Sequence, residues 1–172
     1  MAYQKPTTAF LSYLSAHPEV CDRIRAAPNR TLLYAGSFVR PMWREIQLQQ
    51  RTNPDLARKE TLPDVLRRIG VPGAGYTSLL EYAQAIEKQV PWNPDGFMLW
   101  RALSAIFASH AVGAVSFQVG SDVDATKVFV ATEVGILLRN PDVDGKTKDL
   151  LAYYQRCIHS GQVDINVGFI SA

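Results

Sequence analysis

Two cysteines in 172 residues, Cys21 and Cys157, are too few for a disulfide framework, and no Cys-x-x-Cys pair suggests a zinc ribbon or a redox centre. A reducing compartment suits such a chain. Histidine is nearly as scarce: His17, His110 and His159 have no ligand spacing with one another or with the cysteines, so no metal site is legible. Neither Gly-x-Ser-x-Gly nor His-Glu-x-x-His occurs, which removes the hydrolase classes that carry strong local signatures. No apolar leader follows Met1, and the expected location is the cytoplasm, or a target cell's cytoplasm reached by a route not written in the chain. The stretch Phe97 to Val119 is long and apolar enough to raise the question of a membrane span, but it carries Arg101 and His110 and is divided at Gly113. A core helix followed by a core strand is expected there, and no membrane partner.

An excess of one charge is also lacking. Eighteen basic residues stand against 16 acidic ones, a formal net charge of +2, which argues for neither nucleic acid nor membrane. The split is uneven: residues 1–91 hold 12 Lys and Arg against 8 Asp and Glu, and residues 92–172 hold 6 against 8. An anionic ligand would suit the first half, although Arg23, Arg25, Arg58, Lys59, Arg67 and Arg68 on helix-like segments read first as solvated faces. With 47% hydrophobic and 20% charged residues the composition is that of a folded protein, and the length is that of one core. We read residues 1–172 as a single globular domain, with an N-terminal helix in 1–28 and a mixed helix and sheet core in 29–172.

Periodicity and punctuation divide the chain further. Thr7 and Thr8 open a helix that runs to about Arg25, with a break at Pro18, and Pro28 and Asn29 stop it. Thr31 to Ala35 is a β-rich run closed by Gly36. Met42–Gln50, Pro63–Ile69 and Thr77–Gln89 read as helices, the second capped by Thr61 or Leu62 and the third by Thr77 or Ser78. After the turn Pro91–Gly96 come the helix Phe97–Val112 and two alternating runs, Ala114–Val119 and Lys127–Thr132, which predict a hairpin. A turn at Asn140–Gly145, a helix at Thr147–Ile158 and a strand at Val163–Ile170 complete the chain. The expected fold class is α+β, about six helices around a small, mostly antiparallel sheet.

Two motifs come close and miss. Gly70-Val-Pro-Gly-Ala-Gly75-Tyr76-Thr77 has the spacing of a phosphate loop, but Tyr76 stands where the phosphate-binding lysine belongs and a helix, not a strand, precedes it. A helix-to-helix connector is expected, with one phosphate held by the following helix N-terminus as a weaker alternative. Asn140, Asp142, Asp144 and Gly145 match the opening of a calcium loop, yet Leu151 falls where a bidentate glutamate must close the coordination shell.

Polar residues inside apolar segments remain as the informative signal, because burial of an unpaired polar group is costly. Arg101 and Ser104 are one turn apart on the Phe97–Val112 helix. Tyr34, Ser37 and Arg40 follow the first strand, Ser116 and Gln118 share a face of the next, and Glu133 ends the run after it, among Val128, Phe129, Val130, Val134, Ile136, Leu137 and Leu138. An acid so placed is either paired with a buried arginine, with Arg101 as the candidate, or poised for chemistry.

The order of these segments resembles the ADP-ribosyltransferase-like fold of small bacterial toxins and NAD-cleaving effectors. The segment Arg30-Thr-Leu-Leu-Tyr34-Ala-Gly36-Ser37 looks like the family's cofactor strand, Val115-Ser116-Phe117-Gln118 like its pocket strand, and Thr132-Glu133 like its acid. The resemblance implies NAD as substrate with no further cofactor. Glu133 and Gln118 would be catalytic, and Tyr34, Ser37, Arg40, Arg101, Ser104 and Ser116 would bind NAD. Trp43, Trp92, Trp100 and Phe117 would wall the pocket, or pack in the core. Val-Ser-Phe replaces the family's serine-threonine-serine, and no Glu-x-Glu or Gln-x-Glu occurs at Glu133, which points to NAD glycohydrolysis ahead of ADP-ribosyl transfer. A protein inhibitor is a compatible partner. Two other classes stay open: a metal-independent RNase-type toxin using His110 or His159 as acid or base with the N-terminal arginines holding phosphates, and a non-enzymatic interaction module such as an immunity or adaptor protein.

Overall fold

The computed structural model describes residues 5–35, 48, 51–52, 59–119, 132–159 and 168–171. Helix α1, Pro6–Ala16, begins on a proline, whose fixed φ suits the first turn, and buries Thr7, Phe10 and Leu14 on one stripe. It stops at His17, the residue before Pro18, where the proline ring disfavours helical backbone; Pro18 then starts the short α2, Pro18–Cys21. The expected helix is thus two helices, broken where the sequence marks it.

Strand β1 is Thr31–Ala35. Helix α3, Leu62–Arg67, opens with a reciprocal cap: Asp64 N–H donates to Thr61 Oγ1 at 3.3 Å, and Thr61 N–H donates to Asp64 Oδ2 at 3.0 Å. Helix α4, Leu79–Glu87, is capped by Ser78, whose hydroxyl accepts from Glu81 N–H at 3.2 Å. A wide helical turn over Trp92–Gly96 leads into α5, Phe97–Ser109, which buries Leu99, Leu103, Ser104, Phe107 and Ala108. Then follow β2, Val115–Val119, α6, Val134–Arg139, α7, Gly145–His159, and β3, Gly168–Ser171. Among the described residues no helix is long and apolar enough to cross a membrane. The helix expected at Met42–Gln50 lies outside the described residues, apart from Leu48.

The sheet order is β1-β2-β3, with β2 in the centre. β1 and β2 run parallel, Thr31 opposite Val115 and Ala35 opposite Val119, while β2 and β3 run antiparallel, Ser116 opposite Ser171. The α+β class holds, but the sheet is mixed and not mostly antiparallel. The parallel pair needs a long crossover, and the connection that carries α3, α4 and α5 supplies it. β2 pairs with β1 on one side and with β3 on the other, and the hairpin expected between it and Lys127–Thr132 falls mostly outside the described residues. Thr132 lies in a helical turn, and residues 127–131 lie outside the described ones. Consecutive residues Leu32 and Leu33, and Val115, Ser116 and Phe117, are all buried, so both faces of the sheet are covered.

One apolar core runs from Phe10 in α1 through Leu66 in α3, Leu79 in α4, Leu103 and Phe107 in α5 and Phe117 in β2 to Leu151 in α7. The N-terminal helix therefore belongs to the same core as the rest. Gly113 ends the passage from α5 to β2 at φ +78, and a Cβ there would overlap Asn29 Oδ1. That oxygen accepts from Ala114 N–H at 2.8 Å. Asn29 N–H donates to Val112 O at 2.9 Å, Gly113 N–H to Asp142 O at 2.7 Å, and Asp144 N–H to Gly113 O at 3.0 Å.

Candidate functional site

Glu133 does not end a strand. It sits at the entry to α6 with helical backbone, φ −67 and ψ −44, and it is 6% exposed. Val134 and Leu137, one turn apart, turn into the core shared with α5, and this drives the segment into a helix and takes Glu133 inside with it. The Ser104 hydroxyl of α5 hydrogen-bonds the Glu133 carboxyl. Burial raises that carboxyl to about 8, and the serine, which favours the charged form, offsets only part of the rise. At neutral pH the group is mostly protonated. Thr132 is also buried, and its hydroxyl makes no hydrogen bond. Neither Thr132 nor the helical start of α6 was legible as such, although Val134, Leu137 and Leu138 carry the i, i+3, i+4 spacing of a short helix and Asn140-Pro141 supplies its stop.

The pairing expected between Arg101 and Glu133 is corrected by the structure: Arg101 is exposed. It lies at the rim of the buried stripe of α5, where a long side chain reaches water while its stem stays on the helix, so no buried acid is required to hold it. Ser104, on the same face and shorter, stays inside at 6% exposure and takes the role.

On the sheet, register brings Tyr34 and Gln118 opposite one another near the carboxyl ends of β1 and β2, with Leu32 opposite Ser116 one step back. Leu32 and Ser116 share a face by alternation. Leu33, Val115 and Phe117 alternate to the other, within the core cluster that includes Leu103, Phe107, Val134 and Leu137. Register thus pairs Tyr34 with Gln118 in the ladder, and Ser104 meets Glu133 between α5 and α6. Ser37, Arg40 and Trp43 lie outside the described residues. Of the other proposed wall residues, Phe117 is core, Trp100 is half-buried with its indole N–H on the Glu87 carboxylate, and Trp92 is 54% exposed.

The near-miss motifs have structural roles. Residues 72–75 form a turn closed by a bridge between Val71 and Tyr76, and Thr77 N–H donates to Glu81 Oε2 at 2.8 Å. A carboxylate thus occupies the place where a phosphate would approach. Asn140 is buried; its side-chain amide donates to the carbonyls of Ala108, Ser109 and Ala111, and its Oδ1 accepts from Asp142 N–H, which closes the end of α5. Asp144 caps α7 through Thr147 N–H. His110 Nδ1 lies 3.1 Å from Ile24 O, and His17 Nδ1 lies 2.9 Å from Tyr13 O. No group of three or more His, Cys, Asp or Glu among the described residues is placed to hold a metal ion.

No family model matches the sequence, and no curated protein matches it.

Proposed function

We propose that the protein cleaves NAD as a glycohydrolase of the toxin or effector kind, with Glu133 as its acid-base group. The observation that carries the reading is a carboxyl kept inside an apolar helix seam with a serine hydroxyl and, among the described residues, no guanidinium at its side, raised to about 8. Groups perturbed in this way concentrate at sites of chemistry. A second support is topological, since Tyr34 and Gln118 stand at the carboxyl ends of two parallel strands, where open parallel sheets carry ligands.

The chemistry is consistent with a mostly neutral resting acid. The nicotinamide ring of NAD is cationic, and its arrival beside Glu133 favours the carboxylate, so the proton leaves as the substrate binds. The glycosidic bond then breaks with both electrons going to the ring nitrogen, which departs as neutral nicotinamide. The carboxylate stabilises the ribosyl cation, and water adds to it and passes its proton to Glu133. ADP-ribose and nicotinamide are the products.

Purified protein mixed with NAD tests this directly, beside Glu133→Gln. The variant should keep its fold and lose about 100-fold or more in turnover, the size expected when transition-state charge stabilisation is removed. A folded Glu133→Gln with unchanged NAD loss, or a wild type that never consumes NAD, rejects the reading. The near-complete burial of Glu133 favours one rival, an interaction module in which Ser104 and Glu133 are a structural pair. Unfolding of Glu133→Gln would support that rival.

A further inference from the structure

The chain's near-neutral total conceals one locally basic edge. Residues 23–30, Arg-Ile-Arg-Ala-Ala-Pro-Asn-Arg, contain three arginines and no acid. Ile24 and Ala26 point into the core, and Arg23, Arg25, Pro28, Asn29 and Arg30 are exposed, so the segment turns its cations to water. Its backbone is held from several sides. Arg25 Nε donates to Asp22 O at 2.9 Å, Arg30 N–H to Ala27 O at 3.0 Å, and His110 Nδ1 meets Ile24 O from α5's end.

Further cations join the same edge through hydrogen bonds to that segment. Lys59 Nζ donates to Asn29 O at 3.0 Å, and Arg68 Nη2 donates to Arg25 O at 3.4 Å. Among the described residues Glu60 lies beside them and is turned inward: its carboxylate accepts from Ala27 N–H and from Arg68. Asp22 borders the segment, and Asp64 is engaged by the α3 cap and by Arg67 at 3.9 Å. Protein–protein interfaces draw their affinity from a desolvated apolar centre, with charge at the rim. The exposed large hydrophobic residues among those described, Leu48, Trp92, Met98 and Tyr153, are not in this segment. A chain of phosphates needs no apolar centre, only fixed cations and released counterions. Guanidinium groups on a fixed backbone suit phosphate oxygens, which they bind in a fork.

We propose that the edge formed by Arg23, Arg25 and Arg30, flanked by Lys59 and Arg68, binds the phosphodiester backbone of a single-stranded RNA, without reading its bases. The test is fluorescence anisotropy of a labelled 20-nucleotide RNA of mixed sequence with the whole chain, between 50 and 200 mM salt. Three or four phosphate contacts give a slope of log affinity on log salt of about −2 to −3, so binding should weaken about 20- to 60-fold over that range. Arg25→Glu combined with Arg30→Glu should abolish measurable binding, and the milder Arg30→Gln should reduce the slope by about 0.7. The charge-matched control Lys88→Glu with Lys146→Glu, at exposed positions elsewhere, should leave binding within about twofold. Absence of binding at 50 mM salt overturns the proposal, as does an equal loss in the control. If the double arginine variant does not fold, Arg30→Gln decides, and an unchanged slope in that variant overturns the proposal as well.

Discussion

Glu60 and Glu133 are the same side chain in two surroundings, and their carboxyls are driven in opposite directions. Burial pushes both up. At Glu60 the Arg68 hydrogen bond, the Ala27 N–H and the positive charge of Arg68 and Arg30 outweigh it, and the carboxyl falls below the usual glutamate range. At Glu133 the Ser104 hydroxyl does not, and the carboxyl rises to about 8. Glu60 also pairs through its backbone with the start of β1, accepting from Leu32 N–H at 2.9 Å and donating to Arg30 O at 2.7 Å. Its charge is thus part of how the strand edge is held. The charge of Glu133 is suppressed by its burial.

The largest separation between the two acids should appear as a pH dependence of opposite sign. The folded state holds the Glu133 proton between about pH 4.3, the unfolded value, and about 8, so the wild type loses stability as pH rises through that window. Against Glu133→Gln, which cannot ionise, the loss should accumulate at about 1.4 kcal/mol per pH unit, or about 4 kcal/mol from pH 5 to pH 8. Urea midpoints for the two proteins would show it, and parallel pH curves would mean that Glu133 is not held neutral. Glu60 behaves the other way: its contribution is present above the unfolded value and disappears as pH falls through its depressed folded value. Glu60→Gln should cost about 1 kcal/mol at pH 7, a small figure because Arg68 is half exposed, and nothing once both states are protonated. An unchanged cost at low pH would assign the effect to packing.

Ser104→Ala sharpens the comparison by removing a described group that favours the Glu133 carboxylate. Its carboxyl carbon, followed by NMR, should titrate higher than in the wild type, with a stability change of about 1 kcal/mol; a downward or absent shift would mean that another donor governs Glu133. The smallest effect is expected from Arg101→Gln. The side chain is exposed, so stability should change by less than about 0.5 kcal/mol and the Glu133 titration should stay in place. A movement of that titration would restore the ion pair that the geometry removes.

Local chemistry carried much of the fold into the sequence. The break at Pro18, the Thr61 and Ser78 caps, the strands at Thr31 and Val115 and the stop at Gly113 follow from φ restrictions, orphan helix amides and alternation, all readable within a few residues. The segment from Lys127 to Leu138 was not readable in the same way, since a continuous apolar run has no single period and β-branched residues favour a strand. Only packing of Val134 and Leu137 against α5 decides for a helix at its end, and with it the position of Glu133. Spacing put Arg101 and Ser104 on one face of α5 but could not say which of them lies inside the rim. The parallel pairing of β1 with β2 joins segments far apart in the chain, and no local pattern specifies it.

Gly113 and Asn29 have a bearing on that pairing. They stand two residues before Val115 and Thr31, which face each other as the first pair of the parallel ladder, and Asn29 holds the residues on either side of Gly113, its N–H on Val112 O and its Oδ1 on Ala114 N–H. No tight turn can count residues between two strands so distant in sequence. The closeness of asparagine to a residue without a side chain does the counting, because the ladder can only begin in step with the point where the two loops are clamped. A side chain at position 113 would therefore act as a frameshift in space: it would pry the loops apart, and every pair from Thr31 with Val115 to Ala35 with Val119 would lose its reference.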